Sequence, residues 1–460
     1  MERTGKRIVG AVIVVALVAV AVPLSNLVFG RPSGTALGAR AADPTFGPVA
    51  KLLEQKCGHC HVAGTARPFY ARIPPMSSVI AEDVRSGLEA MDLVESLLPP
   101  GGAAPSEPAL AKIEFEISGG EMPPVRYLAL HWDAILSAAQ KNTILSWIRE
   151  VRAKSYASPG LPPALRSSVI RPIPTNLSVD PRAVALGAKL YHDPRLSGDD
   201  TISCATCHDL AKGGTDRARV STGIRGQKGG INAPTTFNSG FQFMQFWDGR
   251  APTLEDQAAG PPANPIEMGA TWEGIEQKLG ADPALVAEMT AIYPDGVRKK
   301  NITAAIAAFE RTLITPGSRF DKFLLGDAAA MTAEQKRGYE LFLSSGCATC
   351  HVGELLGGKS FERMGRADDY FAARGNLTDA DNGRFNVTKR EADRHKFKVP
   401  TLRNIALTAP YFHDGTQADL RSAVVAMARY QLGVVLREDE VAAIVKFLEA
   451  LTGEYKGKPL

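Results

Sequence analysis

Twenty-three residues without a charge, from Ile8 to Gly30, stand at the head of a chain whose later apolar positions recur mostly at helical spacing. About 20 apolar residues are enough to cross the hydrocarbon core as a helix. Arg3, Lys6 and Arg7 precede the stretch and predict an N-in orientation, with everything after residue 30 outside the cytoplasm. A cleaved signal peptide ending at "ARA", residues 39–41, is the competing reading, but that site lies well beyond the end of the apolar run at Val22. The length criterion favours an uncleaved anchor. Further on, Ile144, Leu145 and Ile148 repeat at helical spacing, as do Ile302, Ile306, Phe309 and Leu313, and Val441, Ile444, Val445, Leu448 and Leu451. Each of these helices closes a unit that begins with another helical segment and continues through Gly- and Pro-rich connections. Strand-like alternation is scarce, so the pattern predicts a mainly α fold with long loops. The Pro-rich stretch 158–181 reads as a boundary.

Composition narrows this little. The chain has 460 residues, 45% hydrophobic and 22% charged, with a net charge of +4, which is ordinary for a folded protein of several domains. No run of Lys and Arg with interleaved aromatics occurs, and nucleic acid is not an expected partner.

The cysteines change the picture. All six fall in three related pentapeptides: Cys57, Cys60 and His61 in "CGHCH", Cys204, Cys207 and His208 in "CATCH", and Cys347, Cys350 and His351 in a second "CATCH". A C-x-x-C pair can hold zinc or cycle between thiol and disulfide. The histidine directly after the second cysteine, present every time, points instead to covalent c-type haem. On a helical turn, positions i, i+3 and i+4 share a face, so two thioethers and one axial ligand can come from the same side. Three haems are expected, in three tandem cytochrome c-like domains after a transmembrane helix: 1–30 as anchor, then 31–157, 158–325 and 326–460. Haem number alone does not separate an electron carrier from an enzyme, because an enzyme needs an iron with an open position. Beyond the three proximal histidines five remain: His59, His131, His192, His395 and His413.

From about residue 180 onward the chain resembles the bacterial di-haem cytochrome c peroxidases. The resemblance rests on "CHDLAKGGTD", "NAPTTFNSGFQFMQFWDGRAPTLEDQAAGP", "FERTL", "CATCHVGELLGG", "FNVTK" and "FKVPTLRNIALTAPYFHDG". It implies that Met427 is the sixth ligand of the C-terminal, electron-transferring haem. It also implies that Glu267 and Gln257 belong to the distal pocket of the peroxidatic haem, and that Trp247 lies between the two haems. Asn232, Thr408 and Pro410 match a calcium site. One departure stands out: the loop "VSTGIRGQKGGIN" has no histidine where many members carry a blocking ligand, which implies a peroxidatic haem open without reductive activation. A related branch makes protein-derived cofactors and has tyrosine in place of the methionine; Met427 argues against it, with Tyr430 nearby.

Residues 50–150 resemble a small haem-binding domain of exported bacterial cytochromes, with Met122 as first choice of sixth ligand and His131 as the other. The whole resembles membrane-bound quinol peroxidases. It implies reduction of hydrogen peroxide to water on the periplasmic side of the inner membrane. Electrons would come from quinol or from a soluble cytochrome c or copper protein, entering through the haem on His61. One calcium ion is expected, and a homodimer is compatible with the resemblance. The alternative class is a tethered three-haem electron carrier.

Overall fold

The computed structural model describes residues 20–28, 36–40, 43–119, 122–175 and 178–460. The expected anchor, 8–30, lies outside these except for 20–28, which is helical; among the described residues no helix is long and apolar enough to cross a membrane. The chain divides into two compact units, Met1–Ser168 and Val169–Leu460.

The first unit is built on helices α1 (Phe46–Lys56), α2 (Met76–Ala90), α3 (Glu107–Gly119) and α4 (Ala138–Ser155). Ser137 and Gln140 form a reciprocal capping box that starts α4, satisfying backbone donors that a bare helix end leaves open. Its apolar stripe then meets α1 and α3: Phe46, Val49 and Leu53 pack with Ile113, Ile144 and Ile148, and the rings of Phe46 and Trp147 lie 4.9 Å apart.

The second unit has two helical cores. The first gathers α5 (Pro181–Tyr191), α6 (Trp272–Gly280), α7 (Pro283–Ile292) and α8 (Lys299–Arg311). The other gathers α9 (Ala333–Ser344), α10 (Leu420–Ala426) and α11 (Glu438–Glu449). Each core turns on one close crossing. A Cβ on Gly187 of α5 would stand 1.9 Å from the Ala305 carbonyl of α8, and one on Gly338 of α9 would stand 1.9 Å from the Ala443 carbonyl of α11. The opening and closing helices of each lobe therefore approach to backbone contact, which only glycine allows. The predicted faces of the closing helices are the buried ones: Ile302, Ile306 and Leu313, then Val441, Ile444, Leu448 and Leu451.

Extended structure is sparse among the described residues: β1 (Phe361–Arg363) pairs antiparallel with β2 (Lys396–Lys398), and a small hairpin lies near the C-terminus. The two lobes are joined by buried polar groups. Asn238 and Asn404 both donate to the Thr315 hydroxyl, at 2.8 and 2.9 Å, and Arg403 pairs with Asp321 at 2.9 Å while donating to the Glu354 and Arg171 carbonyls.

Candidate functional site

The three pentapeptides fold alike. In each, the histidine N–H donates to the carbonyl of the first cysteine: His61 to Cys57 at 3.1 Å, His208 to Cys204 at 2.9 Å and His351 to Cys347 at 3.1 Å. This one turn puts both sulfurs and the imidazole on a common side. Each ring then spends Nδ1 on a main-chain carbonyl: Met91 at 3.0 Å, Gly214 at 3.3 Å and Leu356 at 2.9 Å respectively. Such a bond fixes the ring and leaves Nε2 as the coordinating atom. Burial holds His208 and His351 below the usual imidazole range, which keeps that nitrogen unprotonated. The cysteines form no disulfide, and burial pushes the Cys204 and Cys347 thiols up to about 12. The donor set fits covalent haem.

Around the third motif the fit is clearest. Cys347, Cys350 and His351 line one large, mostly apolar cavity together with Met427, Trp247 and Lys398. Met427 opens a six-residue π-helical stretch, Met427–Leu432, that follows α10; such local widening of a helix is common at functional sites. Tyr430 does not line the cavity. Its ring packs 5.3 Å from that of Tyr370, so methionine, not tyrosine, faces the His351 side.

Asn232, Thr408 and Pro410 all line the same cavity, Asn232 from the first lobe and the other two from the second. Asn232 is held three ways: its N–H donates to the His413 carbonyl at 2.7 Å, its Nδ2 to the Ala218 carbonyl at 2.9 Å, and its carbonyl accepts from Trp247 Nε1 at 3.0 Å. These amide and carbonyl oxygens are hard, neutral donors of the kind calcium takes.

Beside the second motif, burial pushes the Glu267 carboxyl above the usual carboxylate range, against the pull of the Arg250 guanidinium and of the bond from Asn264 Nδ2, at 2.8 Å. Glu267 lies near enough to raise the Cys207 thiol by charge. Its segment is clamped by the loop that lacks a histidine. Residues 221–229 form a tight hairpin in which Ile224 N–H donates to the Glu267 carbonyl at 2.8 Å and Gln227 Nε2 to that of Pro265 at 3.0 Å. Arg225 and Lys228 are exposed on it. The hairpin thus supplies backbone support to the Glu267 segment. Gln257, half-buried, lies on the short helix Leu254–Ala258.

In the first unit, Met122 is 49% exposed. His131 is buried with both ring nitrogens engaged, Nδ1 by the Tyr127 carbonyl at 2.8 Å and Nε2 by the Tyr70 hydroxyl at 2.5 Å. His192 and His395 likewise bond main-chain carbonyls, and His59 bonds the Tyr127 hydroxyl. His413 is buried against Phe397 and bonds Asp381 at 2.8 Å. Asp381, His413 and Asp414 cluster closely enough to hold a metal ion, but Arg374 pairs with both carboxylates, making an ion-pair network.

Sequence reasoning missed this network, because its members are spread over residues 374–414. It also missed two buried ionisable groups: Lys398, and Glu310, which sits near Cys204 with its carboxyl pushed up to about 8 by burial.

Comparison with known proteins agrees with this geometry. The profile described as di-haem cytochrome c peroxidase matches residues 181–329, and one described as a haem-binding domain matches 35–150. The chain is 49% identical over 408 residues to cytochrome c peroxidase Ccp of Escherichia coli (strain K12), covering 88% of this chain and 87% of that one. It is 46% identical over 300 residues to a cytochrome c551 peroxidase of Nitrosomonas europaea, covering 65% of this chain and 88% of the relative. Among solved structures, a MauG-like protein associated with microbial copper homeostasis superposes with a TM-score of 0.55 at 29% identity, over 65% of this chain and 96% of its own. Sulfur and imidazole donors, cavity and relatives agree: the chain belongs to the di-haem cytochrome c peroxidase family, carrying an additional N-terminal haem-binding domain.

Proposed function

We propose that this chain is a three-haem peroxidase that reduces hydrogen peroxide to two waters with two electrons and two protons. The haems are held through Cys57 and Cys60, Cys204 and Cys207, and Cys347 and Cys350, with His61, His208 and His351 as proximal ligands. Met427 and Met122 would serve as further ligands to the third and first. The haem at His208 would supply the iron chemistry that O–O cleavage needs.

The observation that carries the reading is Glu267: a carboxyl poised upward by burial, beside the second motif, on a segment clamped by a hairpin that offers no blocking ligand. Glu267 takes a proton from one peroxide oxygen and returns it to the other, so that the departing oxygen leaves as water. Gln257 orients the peroxide. Trp247, its indole N–H fixed on Asn232, stands on the route between the two lobes, and a calcium ion on Asn232, Thr408 and Pro410 holds that junction. The N-terminal haem receives electrons from quinol or from a soluble cytochrome c or copper protein. Residues 8–30 anchor the chain on the periplasmic side of the inner membrane, where a homodimer is compatible with the family.

Electron paramagnetic resonance and resonance Raman spectra of the fully oxidised protein test this. A high-spin ferric signal lost on adding stoichiometric peroxide, together with peroxide consumption by the reduced protein, is expected. Three low-spin haems indifferent to peroxide would overturn the open, activation-free site and leave either an electron carrier or a peroxidase that needs reductive activation.

A further inference from the structure

Four basic side chains are buried among the described residues: Arg152, Arg171, Arg403 and Lys398. Three have a carboxylate. Arg152 pairs with Glu114, Arg171 with Glu354 at 3.3 Å, and Arg403 with Asp321 at 2.9 Å. Lys398 has none within ion-pair distance among the described residues. Its ammonium donates to the side-chain carbonyl of Gln242, a neutral amide. The carboxylate that acts on it through space, Asp248, is paired with Arg250 at 3.0 Å. Burying an ammonium without an anion is costly, and burial pulls Lys398 down to about 7.

Its place is not accidental to the backbone. Lys398 ends β2 and donates its N–H to the Trp247 carbonyl at 2.7 Å, and both Lys398 and Gln242, the partner of its ammonium, line the cavity shared by Cys347, Cys350, His351 and Met427. A buried cation in the wall of a large cavity, with no protein anion within ion-pair distance among the described residues, marks where an anionic part of the occupant belongs. A haem carries two propionate carboxylates.

We propose that Lys398 supplies the counter-charge for a propionate of the haem attached through Cys347 and Cys350, and that its positive charge raises that haem's reduction potential. The inference rests on the assignment of haem to this cavity made above. Positive charge beside the iron favours the ferrous state, so removing it shifts the equilibrium toward ferric. The competing role is structural: Lys398 would serve only to tie Gln242 down, next to Phe243, whose N–H donates to the Gly358 carbonyl at 3.1 Å.

The test is a spectroelectrochemical titration of the full-length holoprotein, with the wave of the Met427 haem assigned by its displacement in Met427→His. Lys398→Gln keeps a donor for Gln242 and removes the charge; Lys398→Met serves the same purpose if the glutamine variant does not fold. Either is expected to lower the ferrous-to-ferric ratio at the wild-type midpoint about tenfold, a fall of about 59 mV for one electron. Lys398→Arg and Gln242→Leu are expected to leave the midpoint in place. An unchanged midpoint in Lys398→Gln and Lys398→Met overturns the proposal. So does a shift in Gln242→Leu equal to that in Lys398→Gln, or a shift confined to Arg363→Met, since Arg363 is the exposed cation of the same cavity. Mass analysis of the peptide holding Cys347 and Cys350 separates the two levels. A peptide without haem removes the assignment of the cavity itself, whereas a haem-bearing peptide with an unmoved midpoint removes only the role of Lys398.

Discussion

Replacing Gly338 by alanine puts a methyl group 1.9 Å from the Ala443 carbonyl oxygen, 2.6 Å from its carbon and 2.9 Å from Cβ of Phe447. Two of these three atoms are backbone, so no side chain can swing aside. Reaching even a tight 3.0 Å contact requires α9 and α11 to part by about 1.1 Å. Those helices carry Phe342, Ile444, Phe447 and Leu448, which fill the core behind the His351 cavity. Overpacking of this kind costs about 1–3 kcal/mol, and a contact with rigid backbone falls at the upper end. Alanine recovers up to about 1 kcal/mol of helix propensity. The net expectation is a loss of about 2 kcal/mol, a fall of roughly 4–8 °C in the unfolding midpoint. Gly47 lies in α1 with nothing within 4 Å of the same position, so Gly47→Ala meets no clash and serves as the control. Thermal unfolding of the holoprotein at one scan rate, followed in the Soret band, measures both. A Gly338→Ala protein as stable as wild type would refute the backbone-contact argument.

Three further outcomes are expected. Glu267→Gln lowers the rate of peroxide reduction about 10²–10⁴-fold with haem content intact. Because burial raises the Glu267 pKa, wild-type activity falls with decreasing pH at a point above the usual carboxylate value, and a stopped-flow pH profile of the variant should lack that limb. Met427→His lowers the potential of the C-terminal haem, since methionine ligation raises it, and a redox titration reads the shift. Asp381 is held far below the ordinary aspartate range: bonds from Arg374, Thr378 and His413 outweigh the opposing cost of burial. Its stabilisation is present above pH about 4 and is lost as pH falls through the depressed value. Asp381→Asn, which leaves Arg374 with Asp414 as its remaining carboxylate, should cost about 1.5–3 kcal/mol at neutral pH in denaturant titration and flatten the acid limb.

The helical architecture was legible because burial of one face forces a period on the residues. Closing helices read from Ile302 to Leu313 and from Val441 to Leu451 are found as Lys299–Arg311 and Glu438–Glu449; Leu313 and Leu451 fall just past the helix ends but are buried with the face, and Val445 is half-buried. The pentapeptides were legible because their chemistry is local: five consecutive residues hold the sulfurs and the ring. The hairpin without a histidine could be read for what it lacks, but not for what it does, since its clamp on Glu267 is made of backbone bonds that leave no residue signature. Lys398 was unreadable for a different reason. A lysine in "FKVP" looks like a solvated strand residue, and only the fold shows it buried and bonded to Gln242 and Trp247. Tyr430 also needed the structure, because a π-helical stretch alters which residues of a helix share a face.

The main-chain bond to Nδ1 of each motif histidine bears on how the three centres could diverge. A carbonyl oxygen belongs to every residue type alike, so substitution at Met91, Gly214 or Leu356 exchanges the side chain and leaves the acceptor. Imidazole basicity on the proximal side is thereby shielded from ordinary mutation in all three sites. Selection acting on the potential of a haem held by such a motif has its leverage elsewhere: in the residue opposite the histidine, and in buried ionisable groups such as Lys398 on the cavity wall and Glu310 near the Cys204 thiol. One chain can then repeat a single attachment module three times and still give each copy a different task.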